Sequence, residues 1–183
     1  NAGITLYAKW NINTYTVTYN GNSNTGGTVP SDQTKTYGVD LTLASNSGSL
    51  VRTGYTFDGW YTTSTGSSGT AYAAGTGTYS ANAGITLYAK WNPNTYTLTY
   101  DGNTPTTGNP PASTTYTTGL TSITIEGNTG STTLAKTGYT FHGWYSNTTG
   151  TGGTSYSVGT TYDYNETNTL DIVSITDLTI YLK

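Results

Sequence analysis

The sequence predicts a mainly β protein made of two tandem units, and three observations carry that prediction. Short segments such as TYTVTYN at residues 14–20 alternate between apolar and polar side chains, which is typical of half-buried strands. Clusters of Gly, Asn, Ser and Thr at residues 20–27, 64–69 and 147–153 separate these segments and predict turns. The segments also recur along the chain, which indicates a repeated unit.

The repeat is 81 residues long over its best-matched segments. The eleven letters NAGITLYAKWN stand at residues 1–11 and again at residues 82–92. Likewise, NTYTVTYNGN at residues 13–22 returns as NTYTLTYDGN at residues 94–103. We call these segments the closing and the opening strand of a unit.

The second unit is longer than the first. The central motif TGYTFDGWY, beginning at Thr53, returns as TGYTFHGWY at Thr137, a spacing of 84 residues that indicates a three-residue insertion. The ending DLTIYLK resembles a third closing strand, and matching Tyr181 to Tyr88 gives a spacing of 93 residues. Nine further inserted residues are therefore expected within about 161–174.

These spacings predict unit 1 at residues 13–92 and unit 2 at residues 93–183. The closing strand occurs three times, whereas the opening and central strands occur twice. Residues 1–12 are therefore interpreted as the closing strand of a preceding repeat. Because an open amphipathic strand templates pairing, we expect residues 4–10 to dock on unit 1 or on another chain. Residues 41–51, with loosely spaced apolar positions, are the best place for a short helix, at most one in each unit.

Composition excludes several classes of protein. Charged residues make up only 8% of the chain and the formal net charge is −3, which argues against nucleic-acid partners and against binding or insertion at an anionic membrane. The chain has no Cys and no Met, so disulfides, thiolate chemistry and cysteine zinc sites are excluded. No cofactor is expected. The absence of both oxidisable residues suits prolonged exposure outside a cell.

The motifs GYTFDGWY (residues 54–61), GYTFHGWY (138–145) and ITLYAKW (4–10 and 85–91) together resemble the internalin B-repeat family. The resemblance covers nearly the whole chain. It implies small β-grasp-like units in tandem on a bacterial surface protein, with no catalytic residue to carry over. The chain departs from that pattern in its low charge and in the long segment at residues 163–174.

The central motif supplies the candidate binding residues. Strict alternation places Tyr55, Phe57 and Tyr61 on one face and Thr56, Asp58 and Trp60 on the other. One interpretation assigns the tryptophans to packing, and the other makes them an exposed platform on which sugar rings stack. The second interpretation selects six ligand-binding candidates: Trp60, Trp144, Tyr61, Tyr145, Asp58 and His142. Gly59 and Gly143, in mid-strand, indicate a bulge or a ring lying over bare backbone.

No catalytic arrangement is recognised. His142 is the only histidine, and its counterpart in unit 1 is Asp58, so the position tolerates unlike residues and the chain is not expected to be an enzyme. Lys9 and Lys90, in the closing strands, could form Lys–Asn isopeptide crosslinks only if buried beside a carboxylate. Alternation predicts that both are exposed.

The acidic residues Asp163, Glu166 and Asp171 are weak candidates for a Ca²⁺ site, because carboxylates are the hard oxygen ligands that this cation takes. No D-x-D-x-D-G loop surrounds them. A solvated acidic loop is the favoured interpretation, and no metal is expected.

The sequence therefore favours structural spacer or stalk repeats of an extracellular bacterial surface protein, with adhesion as an added role. One alternative is a carbohydrate-binding module that uses exposed Trp and Tyr side chains. A second is a surface-fibre subunit that exchanges the strand at residues 4–10 with another copy. The expected partners are neighbouring repeats, and in an adhesive role a host or cell-surface glycan or protein.

Overall fold

The computed structural model of the chain describes residues 3–119, 122–149, 151–162 and 178–182. It divides the chain into two compact units, Asn1–Asn92 and Pro93–Lys183. All regular structure within the described residues is β, so the predicted fold class is confirmed. No helix among them is long and apolar enough to cross a membrane.

Each unit contains seven strands within the described residues, most of them short. In unit 1 they are β1 (Thr14–Asn20), β2 (Gln33–Thr36), β3 (Leu41–Thr42), β4 (Tyr55–Tyr61), β5 (Ala71–Tyr72), β6 (Thr78–Tyr79) and β7 (Ile85–Pro93). In unit 2 they are β8 (Thr95–Asp101), β9 (Thr114–Thr117), β10 (Ile123–Thr124), β11 (Trp144–Tyr145), β12 (Ser155–Tyr156), β13 (Thr161–Tyr162) and β14 (Leu178–Leu182).

The two units share one mixed-sheet topology. The five-stranded sheet has the order β2-β1-β7-β4-β5 in unit 1 and β9-β8-β14-β11-β12 in unit 2. The opening strand, β1 or β8, pairs in parallel with the closing strand, β7 or β14, at the centre of the sheet. A two-stranded sheet, β3-β6 or β10-β13, completes each unit. Both β-rich units thus place opening, closing and central strands side by side.

Strand register confirms the spacing deduced for the third closing strand. Asn20 of β1 lies opposite Tyr88, and Asp101 of β8, which is 81 residues further on, lies opposite Tyr181. Tyr181 therefore takes the position of Tyr88, 93 residues away. The proposed insertion at residues 161–174 lies mostly outside the described residues.

Alternation directs one face of each sheet into an apolar core. In β1, Val17 and Tyr19 are buried while the threonines between and before them are more exposed. The unit 1 core comprises Val17, Tyr19, Leu43, Leu50, Trp60, Tyr79, Leu87 and Ala89. The unit 2 core comprises Tyr96, Leu98, Tyr100, Tyr116, Ile123, Ile125, Leu134, Trp144 and Tyr156. Each unit thus buries its own hydrophobic cluster.

The short helix suggested at residues 41–51 is not formed. After β3, the Asn46 side chain accepts a hydrogen bond from the Leu50 N–H (2.7 Å) and donates one to the Leu50 carbonyl (3.2 Å). Ser49 has a positive φ of 51°. Asn and Ser side chains offer the backbone partners that compete with helical hydrogen bonds, so a closed loop forms here instead.

The closing-strand copy at residues 4–10 is also not a strand in this chain. It has no regular structure, and Ile4, Leu6, Tyr7 and Trp10 are all strongly exposed. The expectation that it docks on unit 1 as an extra strand is therefore wrong. Pairing with another chain stays a prediction.

Candidate functional site

The tryptophans of the central motif are core residues. Trp60 and Trp144 have an exposed fraction of 0%, so the interpretation of these side chains as an exposed sugar-stacking platform is wrong. Burying an indole removes a large apolar area from water. The carbohydrate-binding alternative therefore loses its tryptophans and keeps only the half-buried Tyr61 and Tyr145.

The alternating pattern predicted the wrong face for each tryptophan because a glycine precedes it. Gly59 has a φ of +102° and Gly143 one of +138°, a region that side-chain-bearing residues rarely adopt. The irregularity brings Phe57 and Trp60 into edge contact, with ring centroids 5.3 Å apart, although alternation placed them on opposite faces. A Cβ at residue 59 would lie 2.6 Å from the Tyr72 carbonyl oxygen, so the sheet requires glycine at this position.

Each buried tryptophan takes part in what we call the Tyr–Trp clamp. In unit 1, the Trp60 indole N–H donates to the Ala44 carbonyl (2.8 Å), and the Ala44 N–H donates to the Tyr19 hydroxyl (2.9 Å). The two rings lie 4.6 Å apart. Both polar ends of one peptide segment are thereby satisfied inside an apolar core.

Unit 2 repeats the clamp with different loop residues. Trp144 donates to the Glu126 carbonyl (2.8 Å), and the Glu126 N–H donates to the Tyr100 hydroxyl (2.8 Å). The Tyr100 and Trp144 rings lie 4.9 Å apart. Because the tyrosine and the tryptophan bind backbone atoms, the same hydrogen bonds form to alanine in unit 1 and to glutamate in unit 2. The clamp joins the opening strand and the central strand to the loop that follows β3 in unit 1 and β10 in unit 2.

Alkaline pH should weaken the clamp. Burial raises the pKa of Tyr19 and Tyr100 above the ordinary value, so each hydroxyl stays protonated in the folded unit at a pH where the unfolded chain begins to lose it. Their contribution to stability is therefore complete below a pH of about 10 and declines as the pH rises towards the raised folded pKa.

Urea unfolding at pH 8 and pH 11 measures this effect. At pH 8, Tyr19→Phe should lower the free energy of unfolding of unit 1 by about 1–2 kcal/mol. Between pH 8 and pH 11, unit 1 of this variant should lose less stability than unit 1 of the wild type. Tyr37→Phe is the matched control, since Tyr37 is 54% exposed. Equal pH dependence in the wild type and Tyr19→Phe would contradict the assignment.

The exposed side of β4 carries a small charged cluster. Asp58 and Lys90 form an ion pair with an N–O distance of 2.7 Å, and the Lys90 ammonium lies 5.5 Å from the centre of the Tyr61 ring. The hydrogen bond from Lys90 lowers the pKa of the Asp58 carboxyl, and Asp58 raises the pKa of Lys90. Both side chains are partly exposed, so the pair is a weakly stabilising surface feature.

In unit 2, the predicted residues His142 and Tyr145 lie together beside β12. With Ser155, Ser157 and Val158 they line an open cleft of about 370 Å³. His142 is exposed, whereas Trp144 contributes to the cleft only from a buried position. No group of three or more His, Asp or Glu residues arranged to hold a metal occurs in the part of the chain that the structure describes.

A second cleft lies beside the central motif of unit 2. Phe141, the counterpart of Phe57, lines this cleft of about 440 Å³ with Leu134 and Lys136 among its walls. In unit 1, Trp91 packs edge-on against Phe57 at 5.5 Å and donates its indole N–H to the Gly21 carbonyl (3.0 Å).

The lysines considered for crosslinking are not buried beside a carboxylate. Lys90 is partly exposed in its ion pair and Lys9 is exposed. The acidic candidates Asp163, Glu166 and Asp171 lie outside the described residues.

Lys35 of β2 is a buried lysine that sequence reasoning missed. Its ammonium donates to the Thr36 carbonyl (2.7 Å) and to the Asn82 side-chain oxygen (3.2 Å), and it has an exposed fraction of 0%. The signal was available, because the residue 81 positions later is Tyr116, a core residue of unit 2. Lys35 ties its hairpin to the loop before β7.

Comparison with known proteins identifies the class. The family model of the Listeria–Bacteroides repeat domain matches residues 15–90 and again residues 96–173. The chain therefore belongs to this family and contains two tandem copies of its repeat. The narrower internalin B-repeat assignment stays a prediction. No solved structure matches the chain significantly.

Two relatives come from the bacterium Evansella cellulosilytica. A protein named "Putative Gly-rich membrane protein" is 34% identical over 157 residues, which is 80% of this chain and 17% of the relative. A "Putative membrane protein" is 40% identical over 91 residues, which is 50% of this chain and 13% of the relative. The chain thus spans less than a fifth of the length of either relative.

Proposed function

We propose that these repeats are structural spacers in a bacterial surface protein and perform no catalysis. The observation that carries the proposal is where the shared residues lie. Two of the four aromatic positions common to both central motifs, Trp60 with Trp144 and Phe57 with Phe141, pack within the two units. At the exposed position between them, the units carry the unlike residues Asp58 and His142.

Charge and relatives support the same function. Among the described residues the Asp58–Lys90 pair is the salt bridge observed, and charged residues make up only 8% of the chain. The interactions of such a surface should depend little on salt concentration, because few charges are available to be screened. The relatives are several times longer and are named as membrane proteins, which supports a repeat segment between other parts of a surface protein.

The proposal is tested by displaying the chain on a bacterial cell with an epitope tag ahead of residue 1 and an anchor after residue 183. Versions with zero, two and four repeat units should place the tag progressively further from the wall, as measured by super-resolution imaging against an anchor label. His142→Ala, Tyr145→Ala and Asp58→Ala should leave that distance unchanged. A distance independent of repeat number would contradict the spacer function.

The same cells distinguish adhesion from spacing. Any direct adhesive contact through the central motif would have to use its exposed side chains, since both tryptophans are buried. Binding to a glycan array or to host cells that His142→Ala and Tyr145→Ala together abolish would show adhesion. The spacer function alone predicts no such loss.

A further inference from the structure

The opening and the closing strand of each unit are parallel neighbours at the centre of its five-stranded sheet. In unit 1, the register runs from Val17 opposite Ile85 to Asn20 opposite Tyr88. In unit 2, β8 and β14 pair in the same direction over four residue pairs. The strand by which the chain enters unit 1 is thus paired directly with the strand by which it leaves for unit 2.

This arrangement decides how tension along the chain acts on unit 1. Residues 1–12 precede β1, and β7 leads directly into β8 of unit 2. A pull from both sides draws β1 towards its amino end and β7 towards its carboxyl end. Because the two strands are parallel, they must slide past one another, and the evenly spaced hydrogen bonds between them share the load. Separation then requires several hydrogen bonds to break together.

Side chains extend this pairing beyond the ladder in unit 1. The side-chain amide of Asn22, two residues after β1, donates to the Ala89 carbonyl in β7 and to the Ser64 carbonyl, both at 2.9 Å. The Trp91 indole donates to the Gly21 carbonyl at 3.0 Å. Sliding of the opening strand along the closing strand would have to break these hydrogen bonds as well as those of the ladder.

The hairpin of β1 and β2 offers the opposite loading within the same unit. These strands are antiparallel, with Thr14 opposite Thr36 at the open end, so a pull on that end separates them one pair at a time. The hairpin and the parallel ladder each contain four Cα partner pairs. The two ladders are therefore matched in length and differ in the direction from which the load meets them.

We propose that each unit is a load-bearing module, in which the parallel opening and closing strands resist tension applied along the chain. The proposal rests on the spacer function for the source of the load, since a spacer anchored at one end carries the tension that acts on the other. The resistance itself is a property of the fold and is measured apart from any cell. A weak unit would leave the imaging test of the spacer unaffected, and a failed imaging test would leave the resistance measurable.

Single-molecule force spectroscopy on the full chain tests the proposal. The chain has no native cysteine, so paired substitutions, reduced and coupled to DNA handles, define where the force acts. Asn13→Cys with Asn92→Cys shears β1 against β7, and Asn13→Cys with Tyr37→Cys opens the hairpin. All three positions are exposed. The gain in length identifies each event, because the two pairs enclose different lengths of chain.

The peak force should be severalfold higher between residues 13 and 92 than between residues 13 and 37 at the same loading rate. The reason is that the first geometry loads four residue pairs together, whereas the second loads them in turn. Forced unfolding is governed by the unfolding rate along the pulled direction, so both variants should still show the same free energy of unfolding in urea. A shear force no higher than the hairpin-opening force overturns the proposal.

Asn22→Gly, added to each pair, tests the hydrogen bonds beyond the ladder. Asn22 has a φ of 49°, which glycine adopts readily, so the change removes the amide and keeps the backbone. The force between residues 13 and 92 should fall, and the force between residues 13 and 37 should not. Ser23→Gly is the matched control, since Ser23 is exposed and has a φ of 67°. Equal shear forces in the two glycine variants would contradict the role given to Asn22.

Discussion

Trp60→Ala should unfold unit 1 and leave unit 2 folded. The substitution empties the centre of the unit 1 core, and a buried Trp→Ala change typically costs about 3–5 kcal/mol. It also leaves the Ala44 carbonyl without the indole donor that reaches it at 2.8 Å, which adds a further penalty for a half-buried acceptor. A unit of this size has a free energy of unfolding of roughly 4–12 kcal/mol, so most of its stability is lost.

Scanning calorimetry and hydrogen exchange measure this result, because they separate the two units. Trp144→Ala is the reciprocal variant and should destabilise unit 2 alone. Trp10→Ala is the control, since Trp10 is 89% exposed and such surface changes stay within about 0.5 kcal/mol. Loss of both units in Trp60→Ala would show that the cores do not fold separately.

Leu87→Asp and Leu6→Asp should differ as strongly as any two substitutions in the chain, although the eleven residues around them are identical. At Leu87 the change removes a buried leucine, which costs about 2–5 kcal/mol, and places a carboxylate in an apolar core, which adds to that cost. Unit 1 should not fold. At Leu6 the same change meets solvent and should alter the free energy of unfolding by less than about 0.5 kcal/mol.

Urea unfolding followed by circular dichroism is sufficient for this comparison, and analytical ultracentrifugation should give the same mass for Leu6→Asp and the wild type. A large destabilisation by Leu6→Asp would mean that residues 4–10 are paired in the isolated chain. It would contradict the exposure seen in the structure.

Part of the sheet could be predicted because the opening strands and β7 are seven to nine residues long and alternate cleanly. β1, β7 and β8 lie where the repeated motifs placed them, and the spacing to Tyr181 follows from side-chain identity alone. Alternation gave the wrong result in the central strand, where the backbone departs from regular strand geometry. Gly59, which the sequence marked as a bulge or a close approach, has a φ of +102°. Strict alternation was nevertheless applied across it, and Trp60 was therefore placed on the wrong face.

The helix expected at residues 41–51 and the burial of Lys35 were predicted wrongly or missed for other reasons. The loop at Asn46 is closed by side-chain hydrogen bonds to the backbone, which a count of apolar positions does not register. Lys35 is buried by the approach of the loop that contains Asn82, which lies 47 residues away. Long-range contacts of this kind depend on the folded topology. Only the comparison of Lys35 with Tyr116 offered a clue in the sequence.

The Tyr–Trp clamp has a practical consequence for studying longer arrays. It binds the peptide groups of residues 44 and 126, of which Ala44 packs against the unit 1 core and Glu126 exposes its side chain. A cysteine introduced at residue 126, in a chain with no native thiol, could carry a fluorophore whose emission the nearby Trp144 indole quenches. Unfolding of unit 2 under applied force would then be visible as a change in fluorescence.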